Sequence, residues 1–391
     1  MKKIIFAALL TLCFTLLGCY VASPPVSLTN ALTDPEATTE TQALYRNLLA
    51  LQGKRVLFGH QDTLAYGMHW QGELDRSDVK DVTGSFPALY GWDLGLLEHD
   101  SPVNLDGVSF DLMKESIKRS YQRGGLTTIS WHMNNPVTGG PYSDTSVSAA
   151  AQLLPGGEHH DLFKSYLDKF VVFNKGLVVD GVQVPIIFRP WHEHNGEWFW
   201  WGKSHVSESD YIKLWRFTVD YLRTEKQQHN LIFAFSPDRS RTNIDTIEQD
   251  YFYGYPGDAY VDVIGLDNYW DLGHPANTAA AAEQLKNFGL SLAAIGKIAQ
   301  ARGKVAALTE GGLEGIPHPS FWTQVILPGI NFSQHSQQVS WVMVWRNATR
   351  GGFNDRHYYA PFPGHESAAD FIKFKHDTRV LFEDELPPMY R

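Results

Sequence analysis

The chain has 391 residues, 43% of them hydrophobic and 13% aromatic, which is apolar mass for one large core or two modest ones and excludes disorder or a coiled coil. Only 19% are charged and the net charge is −10, so no basic footprint exists for a phosphate backbone and nucleic acid is not an expected partner. Twelve Trp, seventeen Tyr and twenty-two Phe exceed the usual needs of a core, and aromatic faces near a surface suit sugars and other flat ligands.

In chain order, Lys2 and Lys3 form a positive start, Ile4 to Leu17 an apolar run, and Leu16, Leu17, Gly18, Cys19 follow. This resembles a bacterial lipobox. The resemblance implies a signal peptide over 1–18 and a Cys19 thiol that takes a diacylglycerol. Tyr20 stands where Asp would signal inner-membrane retention, so the expected location is the cell envelope of a Gram-negative bacterium, lipid-anchored at the outer membrane. An ordinary signal peptide or a short membrane helix are the competing readings, though so short a run spans a bilayer poorly. Cys13 lies in the removed segment, so a mature chain would have no internal disulfide and no thiolate metal site. Residues 19–41, rich in Ser, Thr, Pro and Ala, read as a tether, and 42–391 as one folded domain.

Eight short apolar runs then recur: 56–60, 86–93, 126–133, 185–193, 231–236, 261–269, 305–311 and 338–346. Their starts lie mostly about 30 to 45 residues apart, room for one helix and two loops between neighbours, as a repeated βα unit requires. Phe110, Met113, Ile117 and Tyr121 make one helical stripe, ending at Gly124 and Gly125. Ile212, Trp215, Val219 and Leu222 make a second, with Ser207 and Asp210 as its capping box. Leu285, Phe288, Leu292, Ile295 and Ile298 make a third, ending at Arg302 and Gly303. No Gly-rich phosphate or dinucleotide loop follows any run, so the expected fold is α/β, a closed (β/α)8 barrel rather than an open doubly wound sheet. The longer gap from Asn134 to Gly181 is expected to carry an elaborated loop beside the site.

In such a barrel, chemistry sits at the C-terminal ends of the strands. Polar residues ending the runs are therefore candidates: His60, Gln61 and Asp62; Trp92 and Asp93; Trp131 and His132; Arg189 to Trp198; Asp267 to Trp270; Thr309 and Glu310; Trp345, Arg346 and Asn347. Any one of them is also readable as a plug or ion pair at the barrel mouth. Glu193 after strand four and Glu310 after strand seven would face each other. A retaining glycosidase needs a carboxylate nucleophile and a carboxylic acid about 5–5.5 Å apart.

The stretch RPWHEHNGEWFWWG, with LTEGG and VWRN, resembles glycoside hydrolase family 26, whose members are mainly β-1,4-mannanases of the retaining clan with glutamates on strands four and seven. The resemblance implies Glu193 as acid/base and Glu310 as nucleophile. It also implies that Trp198 and Trp345 line the glycone side, that Tyr269 contacts the nucleophile and that Arg346 donates to sugar hydroxyls. His132 matches a family position at the end of strand three. His192 stands where most of the clan has Asn and would bond the carboxylate or a sugar hydroxyl. For Asp267, Arg189 and Trp270 there is placement only. The four aromatics 198–201 are too crowded to be wholly buried, so at least one is expected to stack on sugar.

Metal catalysis is weighed because His192, His194, His159 and His160 look like ligands. The HExxH pattern fails at Gly196, and a strand end supplies no i, i+4 geometry, so no metal and no cofactor are expected. The rival of another class is a non-catalytic glycan-binding lipoprotein. Within the family, β-glucan and β-1,3-xylan are alternative substrates, although His192, Trp198 and Trp345 favour mannan or mannooligosaccharides. A subsite closed by loops 98–104 or 134–144 would give chain-end attack, possible on oligosaccharides at a tethered enzyme; an open cleft would give internal cleavage. A monomer is expected.

Overall fold

The computed structural model describes residues 32–348 and 357–391; the segment read as a signal peptide, Cys19 and most of the segment read as a tether lie outside the described residues. All eight apolar runs form strands: β1 (Val56–Gln61), β2 (Leu89–Asp93), β3 (Leu126–Ser130), β4 (Ile186–Arg189), β5 (Leu231–Phe235), β6 (Val263–Asn268), β7 (Val305–Gly311) and β8 (Val339–Val344). Each pairs in parallel with its neighbours, and β8 pairs back onto β1, which closes a (β/α)8 barrel. Every residue of these strands is buried, which is why the runs are continuously apolar rather than alternating. A short ninth strand, β9 (Val380–Leu381), adds to the start of β1.

Helices cover the outside. Helix α1 (Thr39–Leu51) lies at the base of the barrel, and the outer helices include α2 (Phe110–Arg123), α3 (His160–Lys175), α4 (Glu208–Asp220), α5 (Ala281–Arg302) and α6 (Ala368–Lys375). The helix ends follow their local chemistry. Ser207 accepts the Asp210 N–H at 3.1 Å to start α4, while Gly124 and Gly303, at φ of 96° and 63°, end α2 and α5 in the left-handed conformation that a Cβ disfavours. The buried stripe of α4 is Tyr211, Leu214, Trp215, Thr218 and Val219, with Ile212 half-buried at its margin.

Two apolar layers result. Phe188, Phe233, Leu266 and Leu308 pack outward against the helices. Leu57, Leu89, Leu126, Ile187, Ile232 and Trp341 fill the barrel interior, and Leu44, Tyr45 and Leu48 of α1 belong to that inner cluster. Helix α1 thus plugs the base, with the Tyr45 hydroxyl donating to the Asp262 carbonyl at 3.1 Å.

The tether is shorter than the sequence implies. The Thr33 N–H donates to Asp262 Oδ1 at 2.8 Å, Asp34 pairs with His229 at 2.8 Å, and Thr38 caps α1, in which Thr41 is fully buried. The fold therefore holds the chain from about Leu32 rather than Gln42. Ser/Thr/Pro composition describes local solubility, while the partners at 229 and 262 are remote in sequence. The chain enters at the barrel base, opposite the strand ends that carry the site.

Candidate active site

The fourth and seventh strands deliver the two glutamates. After Arg189 the chain turns sharply, with Trp191 and Glu193 both left-handed at φ of 51° and 54°. Such backbone costs on the order of 1–3 kcal/mol per residue and persists only where the surroundings fix it. Here the Trp191 carbonyl accepts the Tyr211 hydroxyl at 2.8 Å, the Trp191 indole donates to Thr218 at 3.1 Å, and the Glu193 N–H donates to the Ser236 carbonyl at 2.8 Å. On the other side, a register shift between β6 and β7 sets Glu310 opposite Asp267. Bulges of this kind re-aim side chains beside active sites.

Glu310 has a donor on each carboxyl oxygen. Tyr269 donates its phenol to Oε1 at 2.7 Å, and the buried Arg189 guanidinium forms an ion pair with Oε2. Arg189 also binds Asp267 Oδ2 at 2.5 Å, and Thr309 Oγ1 donates to Asp267 Oδ1 at 2.7 Å. Burial opposes the guanidinium charge, but the two carboxylates outweigh it, so Arg189 stays protonated. Burial, and then the Glu310 charge, push the Tyr269 phenol well above its usual range and keep it a donor.

Glu193 has the opposite character. It is buried, and burial together with the charges of Asp238, Glu310 and Asp267 raises its carboxyl well above the ordinary range, against the 2.6 Å hydrogen bond from the Trp198 indole to Oε2. One carboxylate bound by donors and one carboxyl that resists ionisation share a single cleft of about 1010 Å³. Divergent carboxyl environments of this kind separate a nucleophile from an acid.

Trp198, Tyr269 and Trp345 line this cleft with the two glutamates, as does Trp270. His132, His192 and Arg346 are not among the described residues that line this cleft. His132 Nδ1 lies 2.8 Å from Asp93 Oδ2, and its ring meets His192 edge-on at 4.6 Å. Burial raises Asp93, but His132 and the donors Gly95 and Ser130 win and bring it down to about 2. Burial, then Arg189 and His132, hold His192 well below its usual range, so its imidazole is neutral. Arg346 pairs with Asp106 and donates from Nε to His357 at 3.3 Å.

Of the four consecutive aromatics, only Trp198 lines the cleft; Phe199, Trp200 and Trp201 are buried, the indoles of 200 and 201 donating to the carbonyls of Met133 and His192 at 2.8 Å. His194 stacks on Tyr211 and contacts the Tyr253 carbonyl at 2.7 Å, and His160 contacts the Leu153 carbonyl at 2.8 Å, so both have structural partners. Neither the 98–104 nor the 134–144 loop is among the residues lining the cleft; Glu98 is turned inward to the Trp131 indole and the Asn134 N–H. The sequence reading missed Asp238, Ser240, Arg241 and Glu314, which do line it. Asp238 sits two residues beyond the fifth apolar run, so the rim rule applied to that strand would have found it.

The match to the family model of glycosyl hydrolase family 26 spans residues 33–314, through both glutamates. The chain belongs to that family. It is 33% identical over 365 residues to a mannan endo-1,4-β-mannosidase of Bifidobacterium adolescentis, a match covering 90% of this chain. It spans only 35% of that relative's length. It is 30% identical over 292 residues to the mannan endo-1,4-β-mannosidase of Bacillus subtilis strain 168, covering 68% of this chain and 74% of the relative. Among solved structures, a family 26 β-mannanase from Bacteroides ovatus superimposes with a TM-score of 0.82 at 40% identity, covering 90% of this chain and 98% of that one. A modular endo-β-1,4-mannanase from Cellulomonas fimi superimposes with a TM-score of 0.81 at 35% identity, covering 93% and 79%.

Proposed function

We propose that this family 26 chain is a retaining glycoside hydrolase that cleaves β-1,4 linkages within mannan and mannooligosaccharides. The observation that carries the reading is the pairing in one cleft of Glu310, whose two oxygens accept from Tyr269 and the Arg189 guanidinium, with Glu193, whose carboxyl burial and neighbouring carboxylates raise well above the ordinary range. In the first step a Glu310 oxygen attacks the anomeric carbon while Glu193 gives its proton to the departing glycosidic oxygen. In the second, Glu193 takes a proton from water, which displaces Glu310 and restores the β-anomer. The Tyr269 phenol and the Arg189 guanidinium orient the nucleophile throughout.

Internal attack is favoured over chain-end attack by a cleft that loops 98–104 and 134–144 do not wall, and by relatives named as endo-acting. Products from end-labelled mannopentaose test this: a spread of labelled lengths is expected, and one released unit from one end would contradict it. Mannotetraose should be cleaved at least about tenfold faster than cellotetraose, a barrier difference near 1.4 kcal/mol. Equal kcat/KM on the two would point to another family substrate, and no reducing-sugar release on any glycan to a binding protein.

The role of Glu193 is tested separately. Glu193→Ala should still turn over a dinitrophenyl glycoside through its first step, because that leaving group needs no proton, and added azide should yield a glycosyl azide. Glu310→Ala should abolish turnover on both substrate types. The lipobox around Cys19 supports an anchor in the outer membrane, and entry of the chain at the barrel base would then turn the cleft away from the lipid.

A further inference from the structure

The end of β5 is zipped to the turn that carries Glu193. Beyond the bond from the Glu193 N–H to Ser236, Asn195 Nδ2 donates to the Asp238 carbonyl, and Asn195 Oδ1 accepts the Asp238 N–H, both at 2.7 Å. The Asp238 side chain is fixed in turn. Its Oδ1 accepts the Ser240 N–H at 2.7 Å and the Ser240 hydroxyl as well. The carboxylate is 6% exposed and borders the same cleft as Glu193.

The cations around it are committed elsewhere. Arg189 of β4 bridges Asp267 and Glu310. Arg239 pairs with the buried Asp271 at 2.8 Å, and Arg241 lies 5.2 Å over the Trp198 ring, 3.9 Å from Glu197. Among the described residues no cation forms an ion pair with Asp238. Burial raises its carboxyl above the ordinary range, while the Ser240 donors first, and then Arg241 and Arg239 from a distance, oppose that and favour its charged form. Of the other carboxylates facing Glu193, Glu310 and Asp267 are both countered by Arg189.

We infer that Asp238 is a positioning residue that keeps the proton on Glu193: a fixed, uncountered carboxylate beside the acid/base opposes its ionisation and so keeps the general acid loaded toward neutral pH. The direction of the Glu193 shift agrees, with burial the largest cause and Asp238 next, ahead of Glu310 and Asp267. The Trp198 indole works against it, while Tyr269, a neutral phenol, and His192, a neutral imidazole, add no charge. The inference rests on the acid/base role proposed above for Glu193.

The test compares the whole protein with Asp238→Asn and Asp238→Glu, following kcat/KM on mannotetraose against pH. The basic limb, which reports loss of the acid's proton, should move down by about one pH unit in the Asn variant and stay near its place in the Glu variant. On a dinitrophenyl mannobioside, whose leaving group needs no proton, the first step of the Asn variant should fall less above the basic limb than its rate on mannotetraose does. An unmoved basic limb in Asp238→Asn overturns the inference, as does a loss equal on both substrates at every pH, the mark of a purely structural role. Should the Asn variant not fold, Asp238→Ser, which also removes the charge, carries the same comparison. If Glu193→Ala fails its azide test, the acid/base reading falls; if it passes and the limb stays, only the role of Asp238 does.

Discussion

The Trp198 indole reaches Oε2 of Glu193 at 2.6 Å while its ring lines the cleft, so one side chain both shapes the binding surface and touches the carboxyl read as the acid. A donor to a carboxylate favours the ionised form. Trp198→Phe keeps a ring and loses the N–H, and the basic limb of kcat/KM on mannotetraose should therefore move to higher pH, opposite in sign to Asp238→Asn. An unmoved limb would show that the indole does not bear on this proton, and a limb that moves down would contradict its role as a donor to the carboxylate.

Tyr269 holds Glu310 through a single phenol hydrogen bond of 2.7 Å. Hydrogen bonds to charged groups contribute about 1.5–3 kcal/mol, so Tyr269→Phe should lower kcat/KM about 10- to 100-fold. Its thermal midpoint should stay close to that of the parent. Unchanged kinetics would leave Arg189 as sole orienter of the nucleophile.

Arg189 is the counter-ion of two buried carboxylates, Asp267 and Glu310. Arg189→Met leaves both without a cation, and stability by urea unfolding should fall by about 3–5 kcal/mol. A loss below about 1 kcal/mol, the size of an exposed ion pair, would mean that water or protonation replaces the guanidinium at little cost.

His194 is buried against Tyr211, and burial first, opposed by its contact with the Tyr253 carbonyl, lowers its imidazole from 6.5 to about 4. With the folded value below the unfolded one, its contribution to stability is complete above pH 6.5 and is lost as pH falls toward 4. His194→Phe removes that proton uptake, so its stability should depend on pH less steeply, by about 1.4 kcal/mol per pH unit between pH 6 and 5. Parallel slopes for the two proteins would contradict the burial of a neutral imidazole.

If Cys19 carries the proposed lipid anchor, Cys19→Ser should leave the protein unacylated and shift it from the membrane to the soluble fraction with kcat/KM unchanged. Equal membrane retention in that variant would remove the anchor.

The barrel was legible because strands buried on both faces are written as unbroken apolar runs, and their spacing leaves room for one crossover helix each. Glu193 and Glu310 were legible for a related reason: a charged group that ends such a run is carried to the barrel mouth. The composition of 32–41 misled, because the bonds that hold it, such as Thr33 to Asp262 across 229 residues, join segments that no local window contains. The same separation hides the rest of the site. Arg189 reaches Glu310 across 121 residues, and Asn195 reaches Asp238 across 43. Which of the aromatics 198–201 faces the cleft was decided by the left-handed turn at Glu193 and the carbonyls that buried indoles must find, not by their residue types. The sequence by itself determined which groups arrive at the mouth of the barrel. Only the tertiary structure decided which of them meet, because charge, burial and hydrogen bonding act over a few ångströms of space whatever the distance along the chain.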